Sequence, residues 1–252
     1  MKVSVVIATF NRSDLANNLA IKIRKLNPDV ETLVIDQSGS KPNLCKARNL
    51  GISRSKGDVV IFFDDDVEVT LKTITSHLLE YKNSNTIGVA GRVINDGESV
   101  PSNTNVETGK VNILGTSFVK NFWGEKRQNV AYPYGCNMSF RKSALDIIGK
   151  FDEKFPPPLS SFEEIDLGLR VSKIGNLIFS PDALVYHHRA KTGGTRTDNK
   201  VRNKLYYQSY GRLIRKHIKF PLNLISIGVI KLRILKEAPY ALLAFAKGLL
   251  MA

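Results

Sequence analysis

The sequence predicts an α/β fold: a Rossmann-like sheet flanked by helices, followed by a helical, basic C-terminal tail. Three observations carry this. β-Branched runs alternate with helically spaced apolar residues through the first 65 positions. Each of those runs ends in a polar cluster, and the pattern turns helical and cationic after Gly193-Gly194. Strands alternating with helices make βαβ units and a parallel sheet.

Lys2–Thr9 (KVSVVIAT) has the composition of a buried strand. Ser13 and Asp14 stand where a helix cap belongs, Leu15, Leu19, Ile23 and Leu26 keep helical spacing, and Asn27-Pro28 ends the helix. Thr32–Ile35 reads as a second strand, Leu44 to Gly51 as a helix closed near Gly57, and Asp58–Phe63 as a third strand. Further on, Ile87–Ile94 reads as a strand, 95–112 as a long polar loop, Cys136–Arg141 as a strand and Ser143–Ile148 as a helix. Pro156 to Pro158 is a stiff extended segment. Ser161–Ile174 is a helix candidate, and Leu177–His187 holds two short strands around Pro181-Asp182.

At 252 residues and 42% apolar side chains the chain can build a sizeable core. The formal net charge of +14 is uneven: residues 189–252 carry 14 of the 37 basic side chains and only 2 of the 23 acidic ones. Such a tail suits a polyanion, either nucleic acid or an anionic membrane face. The longest late uncharged run, Phe220–Ile230, is too short to span a bilayer. The opening MKVSVVIATF lacks a small-residue cleavage site, so no secretory signal is expected. Two cysteines, Cys45 and Cys136, make neither a disulfide framework nor a four-thiolate zinc site, which fits a reducing compartment.

In open parallel sheets ligands bind beyond the carboxyl ends of the strands. Those ends are Thr9-Phe10-Asn11-Arg12, Asp36-Gln37-Ser38 and Asp64-Asp65-Asp66. No G-x-G-x-x-G follows the first strand, and no P-loop exists anywhere, so dinucleotide and P-loop sites are excluded. In an extended chain Asp64 and Asp66 point the same way and can reach one hard cation, Mg²⁺ or Mn²⁺, whose other positions take substrate phosphates. Capping needs one aspartate, and three adjacent like charges repel without a counter-ion. Asp36 suits base or ribose recognition, with Asx-turn chemistry as the alternative.

The ordered set VSVVIATFNR, VIDQSGS, ARNLGI, GDVVIFFDDDV, GCNMSFRKSAL, FEEIDLGLR and VYHH strongly resembles the family 2 glycosyltransferases across residues 3–195. The resemblance implies a GT-A fold, with a mixed sheet, and an inverting transfer from a nucleoside-diphosphate sugar, with Mn²⁺ or Mg²⁺. It implies a catalytic domain over 1–199, divided into a nucleotide-binding half (1–95) and an acceptor-binding half (96–199), with 200–252 as the tail. Thr9, Phe10 and Arg12 would line the nucleoside pocket, Asp36 would bond the base, and Arg48 would lie near base or diphosphate. Asp64, Asp65 and Asp66 form the D-x-D segment, with Asp66 the metal ligand. Asn137 and Met138 would border sugar and acceptor. His187 would complete the metal sphere, and Trp123 would stack on an acceptor sugar.

The resemblance also implies a catalytic base in Glu163-Glu164-Ile165-Asp166. Glu164 stands where aspartate is commoner and is preferred over Glu163 and Asp166. By pattern alone Ser161-Phe162-Glu163-Glu164 is a capping box, and Asp166 and Arg170 are an i,i+4 pair. Gly193-Gly194 with Arg196 suits a loop closing over the diphosphate. A nucleotidyltransferase on a similar sheet would need a glycine-rich activating loop, which is absent. A nucleic-acid-binding protein fits the charge but shows no known motif. The expected partners are therefore a sugar donor, a glycan or lipid-linked acceptor and an anionic membrane surface, not nucleic acid. That makes the chain a cytoplasmic protein peripheral on the membrane, serving envelope polysaccharide or glycolipid assembly. Packing of the tail on the domain, or a homodimer interface, is the competing use of the same segment.

Overall fold

In a computed structural model, which describes residues 1–190 and 192–251, the first βαβα units form as expected. Strand β1 (Val3–Thr9) lies between β2 (Glu31–Asp36) and β3 (Val59–Asp64), all parallel. Register pairs Thr9 with Asp36 and Ala8 with Asp64, so the three polar segments meet at one sheet edge. Helix α1 (Ser13–Leu26) buries Ala16, Leu19, Ala20 and Ile23 on the sheet, and α2 (Leu44–Arg54) buries Cys45, Ala47 and Ile52. Asn43 caps α2 by accepting from the Lys46 amide. Ser13 does not cap α1; it is the first helical residue, and its hydroxyl donates to Asp36 Oδ2 at 2.5 Å.

After β3 come a three-residue strand β4 (Val67–Val69), α3 (Leu71–Glu80) and β5 (Thr86–Asn95). Short pairs follow, β6 (Lys110–Val111) with β7 (Phe118–Val119), then β8 (Gln128–Asn129), β9 (Asn137–Arg141), α4 (Lys142–Ile148), α5 (Glu163–Val171) and β10 (Asn176–His187). The main sheet runs β2-β1-β3-β9-β5-β10-β4, with β8 beside β10. Strand β9 is antiparallel to both β3 and β5, so the sheet is mixed and both sequence halves share it. Leu177–His187 is one long strand, not two: a register shift between Ser180 and Leu184 absorbs Pro181 and Asp182 as a bulge against β5.

The tail is three helices, α6 (Asn199–His217), α7 (Leu222–Glu237) and α8 (Leu242–Leu250). They pack on the body. Tyr210 is buried and donates to the Gly115 carbonyl, Ser226 donates to Leu114, and Arg233 donates to Thr116. Helices α6 and α8 touch backbone to backbone, since a Cβ on Gly248 would stand 2.0 Å from the Gln208 carbonyl oxygen. Two acids of the body anchor α6. Asp152 accepts from Arg212 and Lys216, and the fully buried Asp166 accepts from Lys216, His217 and Arg170. These cations hold both carboxyls below the usual aspartate range despite burial. No helix among the described residues is long and apolar enough to cross a membrane.

Candidate active site

The site is built where four backbone turns leave ordinary conformations. Asn11, Ser160, Phe162 and Arg189 all have positive φ without being glycine, and they flank Arg12, Glu163 and His188. Strain of this kind persists where the surroundings over-determine it, and it concentrates at functional sites. Phe162, at φ +70°, starts α5 without any side-chain cap, so no capping box forms. Its ring packs 4.9 Å from both Tyr206 and Tyr210 of α6, which holds the strained turn and leaves the next two carboxyls free of capping duty.

Arg48 organises the centre. Buried on α2, it donates to Glu163 Oε1 at 2.7 Å and to the Gly135 carbonyl at 2.8 Å, and lies 3.3 Å from Asp64 Oδ1. One guanidinium thus ties the end of β3 to the start of α5. Glu163 is also hydrogen-bonded to Glu164, and burial together with the neighbouring charge raises Glu163 well above the usual glutamate range against the pull of Arg48. Glu164 is half-buried and faces a cavity of about 620 Å³, whose wall also carries Asp64, His187, Cys136 and the aromatic rings of Phe118, Phe122, Tyr132, Tyr134, Tyr206 and Tyr207. Asp166 faces away into its cluster of cations.

The aspartates diverge. Asp65 is buried under the Thr9 hydroxyl and Arg12, and burial pushes it up to about 6. Asp66 accepts from Arg12 and the Ala190 amide, and its Oδ1 lies 3.2 Å from His187 Nε2. Burial opposes ionisation of Asp66, but His187 and Arg12 win and hold it far below the usual range. His187 Nδ1 is 2.9 Å from Asn95 Oδ1, so both ring nitrogens face oxygen acceptors. Nε2 thus faces the Asp66 carboxylate, and a ring nitrogen of His187 also lies within 4.8 Å of an Asp64 oxygen, so a divalent cation could be held there. His188 points outward to Asp96 and Glu68. A second cavity of about 450 Å³ is lined by Asp64, Asp66 and His187 together with Arg12, Arg189, Arg196 and Arg202.

A family model described as Glycosyl transferase family 2 matches residues 22–149, just over half the chain. The chain belongs to glycosyl transferase family 2. No curated protein sequence matches it. Its GT-A fold recurs in solved structures. GalNAc-T7 with UDP, GalNAc and Mn²⁺ is 17% identical over 85% of this chain and 47% of that one, with TM-score 0.59. S. aureus TarS 1–349 with UDP-GlcNAc is 16% identical over 86% and 66%, with TM-score 0.62. The same fragment with UDP is 14% identical over 94% and 73%, with TM-score 0.57. This chain therefore spans about half of the first protein and about two-thirds of the second fragment.

In this family 2 chain Thr9, Phe10, Arg12, Asp64 and Asp65 line one small cleft with Gly194 and Thr195. Gly193 and Gly194 have positive φ, and a Cβ on either would meet the Arg12 side chain within 3 Å, so the loop lies directly on Arg12. Asp36 is exposed, and Ser13 and Ser38 occupy its oxygens, so its visible role is the Asx turn. Asn137 and Met138 depart from expectation: both are fully buried. Asn137 bonds to His77 and donates to the Arg92 and Ala183 carbonyls, because β9 lies inside the sheet between β3 and β5 and is buried on both faces. Trp123 is off the cavity wall, and its neighbour Phe122 is on it. The sequence reading missed Arg202, Tyr206, Tyr207 and Glu237, which the tail contributes to the wall. The Tyr206-Tyr207…Tyr210 group in an otherwise basic helix was the available signal.

Proposed function

We propose that the chain transfers a sugar, with inversion, from a nucleoside-diphosphate sugar to a hydroxyl of a glycan or lipid-linked acceptor, with Glu164 as the base. One observation carries the reading. A single cavity is lined by Glu164, Asp64 and His187, and Arg48 ties Asp64 to Glu163, the neighbour of Glu164.

Asp64 and His187 carry ligand atoms within 4.8 Å of one another, and Asp66 Oδ1 lies 3.2 Å from His187 Nε2, so His187 with either carboxylate suits a hard divalent ion. When bound, Mn²⁺ or Mg²⁺ would neutralise the charge that develops on the leaving diphosphate. The chain's own arginines surround the neighbouring cavity and supply further cationic stabilisation there. Arg12 is held by Asp65 and Asp66, so it is oriented before substrate arrives. Glu164 accepts the proton of the attacking hydroxyl, while Glu163 is held beside it by Arg48. The aromatic wall offers ring faces to a sugar acceptor.

The tail supports a place at an anionic membrane face. Phe220, Leu232, Leu243 and Leu250 are 70–85% exposed, which is unusual for large apolar residues. Lys219, Lys231, Lys236 and Lys247 are exposed with them. Arg233, which lies nearly opposite Lys231 on the helix, faces the body and bonds to Thr116. Each exposed basic group near such a surface contributes about 1 kcal/mol. Glu237, the last residue of α7, also lines the cavity, so docking through α7 would bring a lipid-linked acceptor near it.

Two experiments test this. In a thermal-shift screen, a nucleotide sugar at 100 times its Kd should stabilise the chain by about 2.7 kcal/mol with Mn²⁺. EDTA or Asp66→Asn should remove most of that shift, and equal shifts with and without metal would refute the metal role. Co-sedimentation with anionic liposomes at low salt should be strong, and should fall sharply in a folded Leu232→Glu/Leu243→Glu chain. Equal sedimentation of the two chains would reduce the tail to a packing element.

A further inference from the structure

The segment Gly135-Cys136-Asn137-Met138 brings a thiol to the wall of the larger cavity. Cys136 is buried at the entry to β9, which lies beside β3, the strand that ends in Asp64. One Asp64 carboxylate oxygen, Cys136 Sγ and one His187 ring nitrogen all lie within 4.8 Å of one another. Two donors of one ion sit at most twice the bond length apart, about 4.0–4.6 Å for bonds of 2.0–2.3 Å. All three donors lie within 4.8 Å of one another, so a small side-chain adjustment brings them onto one ion. His187 is already oriented by Asn95, and Asp66 Oδ1 lies 3.2 Å from its Nε2. Among the described residues this is the one group of three or more such donors that meets that spacing.

We propose that Cys136 is a sulfur donor to the cation site of Asp64 and His187, giving a mixed oxygen–nitrogen–sulfur site that accepts thiophilic divalent cations such as Zn²⁺ and Co²⁺. This rests on the reading that Asp64 and His187 hold a divalent cation, and adds to it. Carboxylate and imidazole alone suit Mg²⁺ and Mn²⁺, whereas a thiolate shifts preference toward softer ions. On binding, the sulfur–metal bond forms as the thiol proton leaves to buffer, and no electron is transferred. Zn²⁺ should then displace Mn²⁺ from the chain at lower concentration than Mg²⁺ does.

The test is titration of the full chain with CoCl₂ in a non-chelating buffer. A stoichiometric thiolate-to-cobalt charge-transfer band should appear in the near ultraviolet. It should vanish in Cys136→Ser and persist in Cys45→Ser, because Cys45 is buried on α2 and lies outside the donor group. Circular dichroism checks that both variants are folded. X-ray absorption at the zinc edge of the unaltered chain needs no variant, and should give one sulfur neighbour at about 2.3 Å. Absence of the band, its survival in folded Cys136→Ser, or a zinc shell of only nitrogen and oxygen overturns the proposal. Metal-dependent binding of nucleotide sugar without any sulfur signature would sink the thiol and leave the proposed function standing. No divalent ion binding at all would sink both.

Discussion

Asp166→Asn isolates what fastens the tail to the catalytic body. The carboxylate is fully buried and accepts from Arg170 at 2.7 Å, Lys216 at 2.5 Å and His217 at 2.8 Å. Asparagine keeps the shape but leaves these cations facing a neutral amide whose NH₂ group cannot accept. Removing one partner from a buried ion pair costs about 3–5 kcal/mol. Near 250 residues each kcal/mol moves Tm by about 2–4 °C, so the variant should melt about 6–20 °C lower. The acid limb gives a second reading. Asp166 is held below its ordinary value of 3.8, so its contribution is complete above that value and is lost as pH falls through the lower, folded-state one. The gap between wild type and variant should therefore hold steady from pH 7 down to about pH 4 and narrow below it. Urea unfolding followed by circular dichroism measures both, with Asp146→Asn as an exposed control whose partner Lys150 is 3.8 Å away. A variant within about 0.5 kcal/mol of wild type, or a gap that does not change with pH, would refute this account of the tail.

Gly248→Ala should destabilise by about 1–3 kcal/mol, because its Cβ would stand 2.0 Å from the Gln208 carbonyl and part α8 from α6; an unchanged urea midpoint would contradict that packing. Gly194→Ala should weaken nucleotide-sugar binding far more than it lowers Tm, since φ is +66° and the methyl would meet Arg12 at 2.8 Å; calorimetric titration with donor and Mn²⁺ reads it. Arg48→Met should cost both stability and turnover, because Glu163 and Asp64 lose their common partner; a fully active, equally stable variant would remove Arg48 from the centre.

The strand ends were legible because a parallel sheet follows from local composition, and register then brings residues 9, 36 and 64 together without further information. His187 and Glu164 were singled out only through the ordered motifs, since a histidine at a strand end and an acid at a helix start have ordinary explanations; both line the larger cavity. The capping box was a reasonable local reading that failed for a tertiary reason: Phe162 is drawn into the ring cluster of Tyr206 and Tyr210, which flips its backbone and takes Ser161 out of capping position. Asn137 was misread because β9 inserts antiparallel between β3 and β5, a pairing no local pattern encodes. The bulge that merges two expected strands into β10 is likewise set by the partner strand β5. The tail's share of the cavity wall was hidden for the same reason, being a contact between residues about 30 or more positions apart in sequence on α5, α6 and α7.

The central claim is that Glu164 takes a proton during sugar transfer from a nucleotide. The direct measurement is the rate of nucleoside diphosphate release from a panel of nucleotide sugars with Mn²⁺, for wild type and Glu164→Gln at matched donor saturation. The account predicts that at least one donor is turned over, and that Glu164→Gln lowers the rate by about 10²–10⁴ with donor affinity nearly unchanged. A folded Glu164→Gln chain that releases nucleoside diphosphate at the wild-type rate would contradict it.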